Sequence, residues 1–139
     1  MSTTKLKLRC VPEYENGVSV SKLPTAAWVF GPWKTLAQFT NSDLYIYGLQ
    51  FQITTVVTAN TTYEMLLSLG FGPIGQEVEK IRLPYSYRSS TSVGYYLNQV
   101  GSIFLPEPML VPQYTTVSVR FTGNVASSQD VNGVKLLYM

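Results

Sequence analysis

The stretch DLYIYGLQFQITTVVTANTTYEMLLSLGFG, from Asp43 to Gly72, decides the fold class of this chain. Between Tyr45 and Ile53 every second residue is apolar or aromatic, and after Gly48 the residues in between are polar. A period of two is typical of a β-strand with one buried face. We therefore predict a strand whose odd-numbered side chains are buried throughout, with Gly48 at a β-bulge or at a close approach of two backbones.

The second half of the stretch repeats this pattern after a polar segment at residues 58–62. Its alternating apolar residues are Tyr63, Met65, Leu67 and Leu69. Two strands joined by a short hairpin account for every residue of the stretch. A helix fits the first half poorly, because Tyr, Ile, Thr and Val favour strands.

Alternation of the same kind recurs along the rest of the chain. It is clear at residues 6–10, 117–121 and 134–138, and weaker at residues 18–21, 27–30, 78–83, 92–98 and 102–105. Glycines and prolines, including Pro84, Pro106 and Pro108, are expected to separate these strands, and residues 33–40 have room for one helical turn at most. The sequence predicts an all-β jelly-roll β-sandwich of about 8–10 antiparallel strands. We expect residues 1–139 to form a single jelly-roll domain, with residues 1–10 as an N-terminal edge strand or arm.

The composition favours a protein that is buried against partners. Charged residues make up 13% of the chain, compared with about 25% in ordinary soluble domains, while ten tyrosines raise the aromatic content to 13%. Uncharged surface is cheaper to desolvate than ions. A net charge of +2 without a basic face argues against nucleic acid. Without a hydrophobic signal segment or a long apolar run, we expect no membrane partner and synthesis in a cytoplasm.

Reactive side chains are scarce. The chain contains no histidine, which excludes Ser-His-Asp catalysis and histidine-ligated metals. The single cysteine, Cys10, is expected to be a small core residue. Glu77 and Glu79 resemble a carboxylate pair for glycoside hydrolysis or calcium binding, but Lys80 and Arg82 beside them favour a solvated charge cluster. We predict no catalytic residue, no metal site and no cofactor.

Two segments are predicted to bind a partner. The segment YSYRSSTSVGYY, residues 85–96, combines tyrosines with small hydroxyl residues, as binding loops do. The N-terminal segment alternates basic with apolar residues, so it exposes a basic face to an acidic partner. The predicted contact residues are Lys5, Lys7, Arg9, Tyr85, Tyr87, Arg88, Tyr95 and Tyr96. A sugar-stacking platform of Trp28, Phe30 and Trp33 is the alternative to a core position for these three rings.

Several segments resemble one family of viral proteins. They are residues 31–33 (GPW), 43–49 (DLYIYGL), 69–72 (LGFG), 105–108 (LPEP), 111–112 (VP) and 117–120 (VSVR). In these the chain is similar to the jelly-roll capsid decoration, or cement, proteins of tailed bacteriophages. One departure is Gln113-Tyr114, where the family leads us to expect an Ala-Gly turn.

The resemblance implies a non-enzymatic virion protein on the capsid surface. Its partners would be the major capsid protein and itself, as a homotrimer that stabilises contacts between capsid subunits. A carbohydrate-binding or host-attachment module of a tail or spike is the first alternative. A small glycosidase that uses Glu77 or Glu79 is the second.

Overall fold

A computed structural model describes residues 8–11, 17–22, 26–39, 43–53, 62–88, 99–124 and 129–139. These residues contain no helix, and so none that is long and apolar enough to span a membrane. Two antiparallel sheets pack face to face. Their strands are β1 (Arg9–Val11), β2 (Val18–Lys22), β3 (Lys34–Phe39), β4 (Leu44–Ile53), β5 (Thr62–Phe71), β6 (Val78–Arg88), β7 (Gln99–Val111), β8 (Thr115–Gly123) and β9 (Gln129–Tyr138).

The strand order is that of a jelly roll. One sheet runs β1-β9-β4-β7, with β2 also beside β9, and the other runs β3-β8-β5-β6. Strand β2 pairs with β9, β3 with β8, β4 with β7, and β5 with β6. This nested pairing describes one long antiparallel ribbon rolled into two sheets. The predicted all-β sandwich is confirmed, and β1 lies end to end with β2 along the edge of β9.

The predicted hairpin between β4 and β5 is wrong. Strand β4 pairs with β7 and β9, whereas β5 pairs with β6 and β8 in the opposite sheet. Both strands are central in their sheets, so each has two neighbours that come from elsewhere in the chain. Alternation therefore identified the strands but carried no information about their partners.

A β-bulge at Gly48 exchanges the two faces of β4. The register shifts between Ile46 and Gly48 relative to both neighbouring strands, which confirms the predicted bulge. Ile46 is buried before the bulge and Leu49 after it, while Tyr45 is exposed. The buried positions change from even to odd at this point, so the expectation of one odd-numbered face was wrong. A side chain at Gly48 would also collide with the backbone carbonyl oxygen of Ile103.

The core lies between the inner faces of the two sheets. The predicted inward residues of β5 all belong to it, and β8 contributes alternate residues from Val117 to Phe121. Full burial of a large aliphatic or aromatic side chain stabilises a fold by about 1.5–3 kcal/mol. The largest fully buried side chains in this core are Phe51, Phe121, Ile46, Leu49, Leu67, Leu69 and Leu136.

Three prolines that were expected to separate strands lie inside them. Pro84 is in β6, and Pro106 and Pro108 are in β7; among the described strands each of these has a single neighbour. Edge strands and bulges tolerate proline, because its missing N–H faces no partner. In β7 the residues between Phe104 and Met109 have no counterpart on β4. Pro84 therefore lies in an edge strand, and Pro106 and Pro108 lie in a bulge of the other edge strand.

The segment before β3 also differs from the prediction. Residues 27–30, expected to form a strand, form a turn followed by irregular chain, and residues 34–39, where one helical turn at most was expected, form β3. The Trp28 and Gly31 amides donate to the carbonyls of Gly123 and Phe121, at 2.8 and 3.1 Å. These two bonds take the place of a regular β-sheet hydrogen-bond ladder. The segment therefore runs beside β8 without forming a strand. The weak strand candidate at residues 92–98 lies outside the described residues.

Candidate functional site

Two of the tyrosines predicted to contact a partner lie in the interior. The odd-numbered residues at this end of β6 point inward, so Tyr87 is only 7% exposed and stacks on Tyr63 with ring centroids 5.0 Å apart. Tyr85 is half-buried and meets Phe51 edge to face at 4.9 Å. Burial raises the pKa of the Tyr87 hydroxyl well above its ordinary value. The assignment of Tyr87 to a partner surface is wrong, because its ring belongs to the core, whereas Tyr85 is partly buried against that core and its contact with a partner stays a prediction.

The remaining predicted contact residues divide into exposed and undescribed ones. Arg9 is exposed on β1 opposite Tyr138, and Arg88 is exposed at the end of β6, where its Nη1 donates to Thr62 Oγ1 at 3.0 Å. Cys10 is a partly buried free thiol. The others, Lys5, Lys7, Tyr95 and Tyr96, lie outside the described residues.

An ion cluster lies on the outer face of the four-stranded sheet. Glu79 Oε1 accepts from Arg82 Nε at 2.8 Å, and Oε2 accepts from Arg120 Nη2 at 2.9 Å. Ser68 Oγ also donates to Oε2, at 2.6 Å. The register of β5 and β6 skips Lys80, so this bulge turns Glu79 to the same face as Arg82. We call these four residues, Ser68, Glu79, Arg82 and Arg120, the Glu79 cluster.

The Glu79 carboxylate is held in its ionised form. The hydrogen bond from Ser68 and the bonds from the two arginines outweigh desolvation and lower the pKa of Glu79 to about 2. A carboxyl with this pKa carries no proton to donate near neutral pH, which weighs against a role as a general acid. Glu77 is separately engaged, because its carboxylate accepts from the Gly75 amide at 3.1 Å within the β5–β6 turn. Among the described residues, no cluster of three or more His, Cys, Asp and Glu could hold a metal.

Two aromatic rings cover the Glu79 cluster. The guanidinium carbon of Arg120 lies 4.3 Å from the ring of Phe30 and 4.3 Å from the ring of Trp33. Trp33 lies so close to Gly70 that a side chain there would meet its ring at 2.7 Å. These rings pack outside the sheet, so the core position preferred for them from the sequence is wrong. Their faces are occupied by Arg120, which favours a stabilising role over sugar stacking.

The outer face of the five-stranded sheet carries exposed apolar side chains. Tyr45 on β4 lies directly opposite Leu110 on β7, and both are close to half exposed. Phe104, which is 62% exposed, lies further along β7 opposite Gly48. We call Tyr45, Phe104 and Leu110 the Phe104 face. Apolar groups that neighbour one another on a surface are typical of interaction sites.

An open cleft lies at one end of the four-stranded sheet, between the β5–β6 turn and the start of β8. Its volume is about 480 Å³, and its walls include Phe71, Lys80 and Tyr114. Tyr114 is 72% exposed and has a φ of 64°, in the left-handed region that favours glycine. We call this feature the Tyr114 cleft.

Sequence reasoning missed the residues that distinguish these surfaces. Phe104 falls within the weak strand candidate at residues 102–105, and the prolines that follow it are the signal of an edge. Tyr114 carried a signal, since it occupies the position where a glycine was expected.

Comparison of the chain with protein-family models, with curated proteins and with solved structures finds no match.

Proposed function

We propose that the chain is a non-enzymatic structural virion protein that binds the outside of a phage capsid and stabilises contacts between major capsid proteins. The jelly roll is an architecture of viral capsid and lectin domains, so the fold is compatible with this role without determining it. The Phe104 face is the observation that carries the proposal. It offers an aromatic and aliphatic surface on a rigid sheet, which a large protein partner is suited to cover.

The state of the charged groups supports an assembly role over catalysis. The best carboxylate candidate, Glu79, is bound by two arginines and a serine. With 13% charged residues, the chain has few ions to keep its other faces solvated. A surface of this kind is cheap to bury against a lattice or against a second copy.

The test of the face is a binding assay with purified particles of the phage that encodes the chain. We expect the double change Phe104→Ser and Leu110→Ser to weaken attachment by roughly thirtyfold or more, because loss of an aromatic anchor costs about 2 kcal/mol. Melting should barely change, since both side chains are exposed. The control is Ile74→Ser, an exposed residue of the β5–β6 turn. Unchanged attachment of the double variant would exclude this face.

The proposal includes a homotrimer. Three linked copies convert modest affinity per subunit into tight attachment through effective concentration. Sedimentation of the purified chain at micromolar concentration should therefore give a trimer, and a stable monomer would contradict this part of the proposal. Mass spectrometry and cryo-EM of the purified particle would locate the chain.

The basic arm is proposed to strengthen the attachment. Arg9 is exposed on β1, next to the end of β9. Because exposed ion pairs contribute about 0–1 kcal/mol each, changing Lys5, Lys7 and Arg9 together to serine should weaken particle binding, most of all at low salt, without unfolding the domain. A lower melting temperature with unchanged binding would instead indicate an internal role.

The alternative function, a carbohydrate-binding or host-attachment module, depends on a different surface. A lectin-like site requires a concave site with aromatic and polar walls. The Tyr114 cleft is the observation that favours this alternative, and glycan binding in solution would test it independently of the particle.

A further inference from the structure

The Tyr114 cleft has the dimensions and support of a small-molecule site. Its volume of about 480 Å³ lies in the range of roughly 300–1,000 Å³ that is usual for ligand sites. The Gly72 amide donates to the Thr116 carbonyl at 3.0 Å and so joins the β5–β6 turn to β8. On the β7–β8 side, the Gln113 amide donates to Asp43 Oδ1 at 3.0 Å. One backbone–backbone bond and one bond from a backbone amide to a carboxylate therefore position both walls before any ligand enters.

Tyr114 is held in a conformation that its packing does not explain. Its φ of 64° is unfavourable for a residue with a Cβ atom, yet its side chain is 72% exposed. Few protein contacts compensate the strain, and a glycine would adopt the same backbone freely. Strain at an exposed side chain beside a cleft is typical of functional sites. The ring at this position therefore serves something other than folding.

The chemistry of the walls selects a class of ligand. Phe71, Tyr114 and the nearby prolines offer apolar surfaces suited to the C–H face of a sugar ring, while Gln38 and the β8 threonines offer hydrogen-bonding groups. Of the described residues that line the cleft, Lys80 alone is charged, and its ammonium lies 5.7 Å from the Phe71 ring centroid. A cation without an acidic neighbour in the lining complements a carboxylate.

We infer that the Tyr114 cleft binds an acidic saccharide, a pyranose that carries a carboxylate, with its ring against Tyr114 and its carboxylate at Lys80. This inference gives the ligand class of the cleft on which the alternative function rests, and it does not depend on attachment to a capsid. It lies on the four-stranded sheet, whereas the Phe104 face lies on the five-stranded sheet. One chain can therefore hold a lattice through one sheet and an acidic glycan through the other.

The test is a titration of the purified full chain followed by NMR or intrinsic fluorescence. The probes are a hyaluronan hexasaccharide for uronic acids, sialyllactose for sialic acids, and lactose as a neutral control. We expect at least one acidic probe to bind about tenfold more tightly than lactose, and the better probe identifies the source of the carboxylate. Absence of binding at about 10 mM of every probe, or equal affinity for acidic and neutral probes, would overturn the inference.

Two variants assign the roles of the residues. Lys80→Gln should remove the preference for the acidic probe, and Tyr114→Gly should weaken all saccharide binding by about tenfold or more. Lys135→Gln, on β9 of the other sheet, is the matched control and should bind like the parent chain. Particle attachment should be unchanged in Tyr114→Gly, which separates this site from the proposed capsid contact. Binding that persists unchanged in Tyr114→Gly would refute the site.

Discussion

The Glu79 cluster and the Tyr114 cleft occupy the same four-stranded sheet, and they use charged and aromatic residues in opposite ways. In the cluster, Glu79 is bound by three donors and Arg120 is enclosed by two rings. In the cleft, Tyr114 is exposed and strained, and Lys80 has no acidic residue beside it in the lining. The comparison teaches that a charged residue is the stronger indicator of a site when no opposite charge engages it, and an aromatic residue when its ring is exposed.

Removal of Arg120 from the Glu79 cluster should have the largest effect on stability. Arg120→Ala takes a partly buried cation from between Phe30 and Trp33 and leaves Glu79 with one arginine. We expect the free energy of unfolding, measured with urea, to fall by about 2–4 kcal/mol, which is more than the loss of an exposed pair and approaches that of a buried pair. Arg82→Ala is the control, because Arg82 is 53% exposed, and it should cost no more than about 1 kcal/mol. Equal effects would refute the enclosed position of Arg120.

A methyl group at Gly70 should disturb the same cluster from the side of the sheet, because the Trp33 ring packs on this glycine. Gly70→Ala places its Cβ 2.7 Å from the Trp33 ring and 3.1 Å from the Val78 carbonyl oxygen, so the ring has to move off Arg120. Overpacking of this kind costs about 1–3 kcal/mol. Urea unfolding measures the loss, and the tryptophan emission of the folded state should shift. Unchanged emission together with unchanged stability would place Trp33 elsewhere.

The Glu79 cluster should also give the fold a pH dependence in acid. The folded-state pKa of Glu79, about 2, lies below the ordinary value of 4.5. The contribution of this carboxylate to stability is therefore fully present above about pH 5 and is lost as the pH falls towards 2. Glu79→Gln lacks this contribution at every pH. We expect the parent chain to be more stable than the variant by about 1–2 kcal/mol at pH 6, with the gap closing by pH 2. A gap that does not depend on pH would contradict the lowered pKa.

The substitution with the smallest expected effect, Tyr114→Gly, should raise stability where the others lower it. Tyr114→Gly relieves the left-handed strain of an exposed residue, so stability should rise by about 0.5–1 kcal/mol even though the saccharide site is lost. Tyr114→Ala keeps a Cβ atom in the strained backbone and should give no such gain. Urea unfolding of both variants measures the difference. A clear loss of stability in Tyr114→Gly would show that the ring contributes to folding.

The period of the apolar residues was enough to predict the sandwich, but local register decided the sites. Alternation in β4, β5 and β8 depends on which side chains face the core, and this repeats every two residues. Bulges break that regularity; its glycine signalled the bulge at Gly48, whereas nothing in the local sequence signalled the one at Lys80. The bulge at Lys80 turns Glu79 to the outer face of its sheet, and the bulge at Gly48 leaves Tyr45 exposed.

The binding residues were harder to predict, because tyrosine suits both a core and a contact surface. Tyr87 lies on an inward position of β6, and its ring fills space beside Tyr63. Nothing in its local sequence distinguishes this use from a loop contact. Tyr114 was the opposite case, since a bulky residue in the place of an expected glycine does point to a special role. The departure at Tyr114 from the expected glycine is therefore a more specific signal than the tyrosine content of the chain.

The position of β9 has a consequence for how the chain reaches its folded state. Strand β9 lies between β4 and the edge formed by β1 and β2, and its pairing sets Arg9 opposite Tyr138. Contacts between such distant residues slow folding, because the chain must close large loops first. At roughly 5–20 residues per second, several seconds of synthesis separate Ile53 from Gln129, and during that time one edge of β4 has no partner. Chaperones that shield unpaired strands should therefore raise the soluble yield of this protein more than any change to its finished surface.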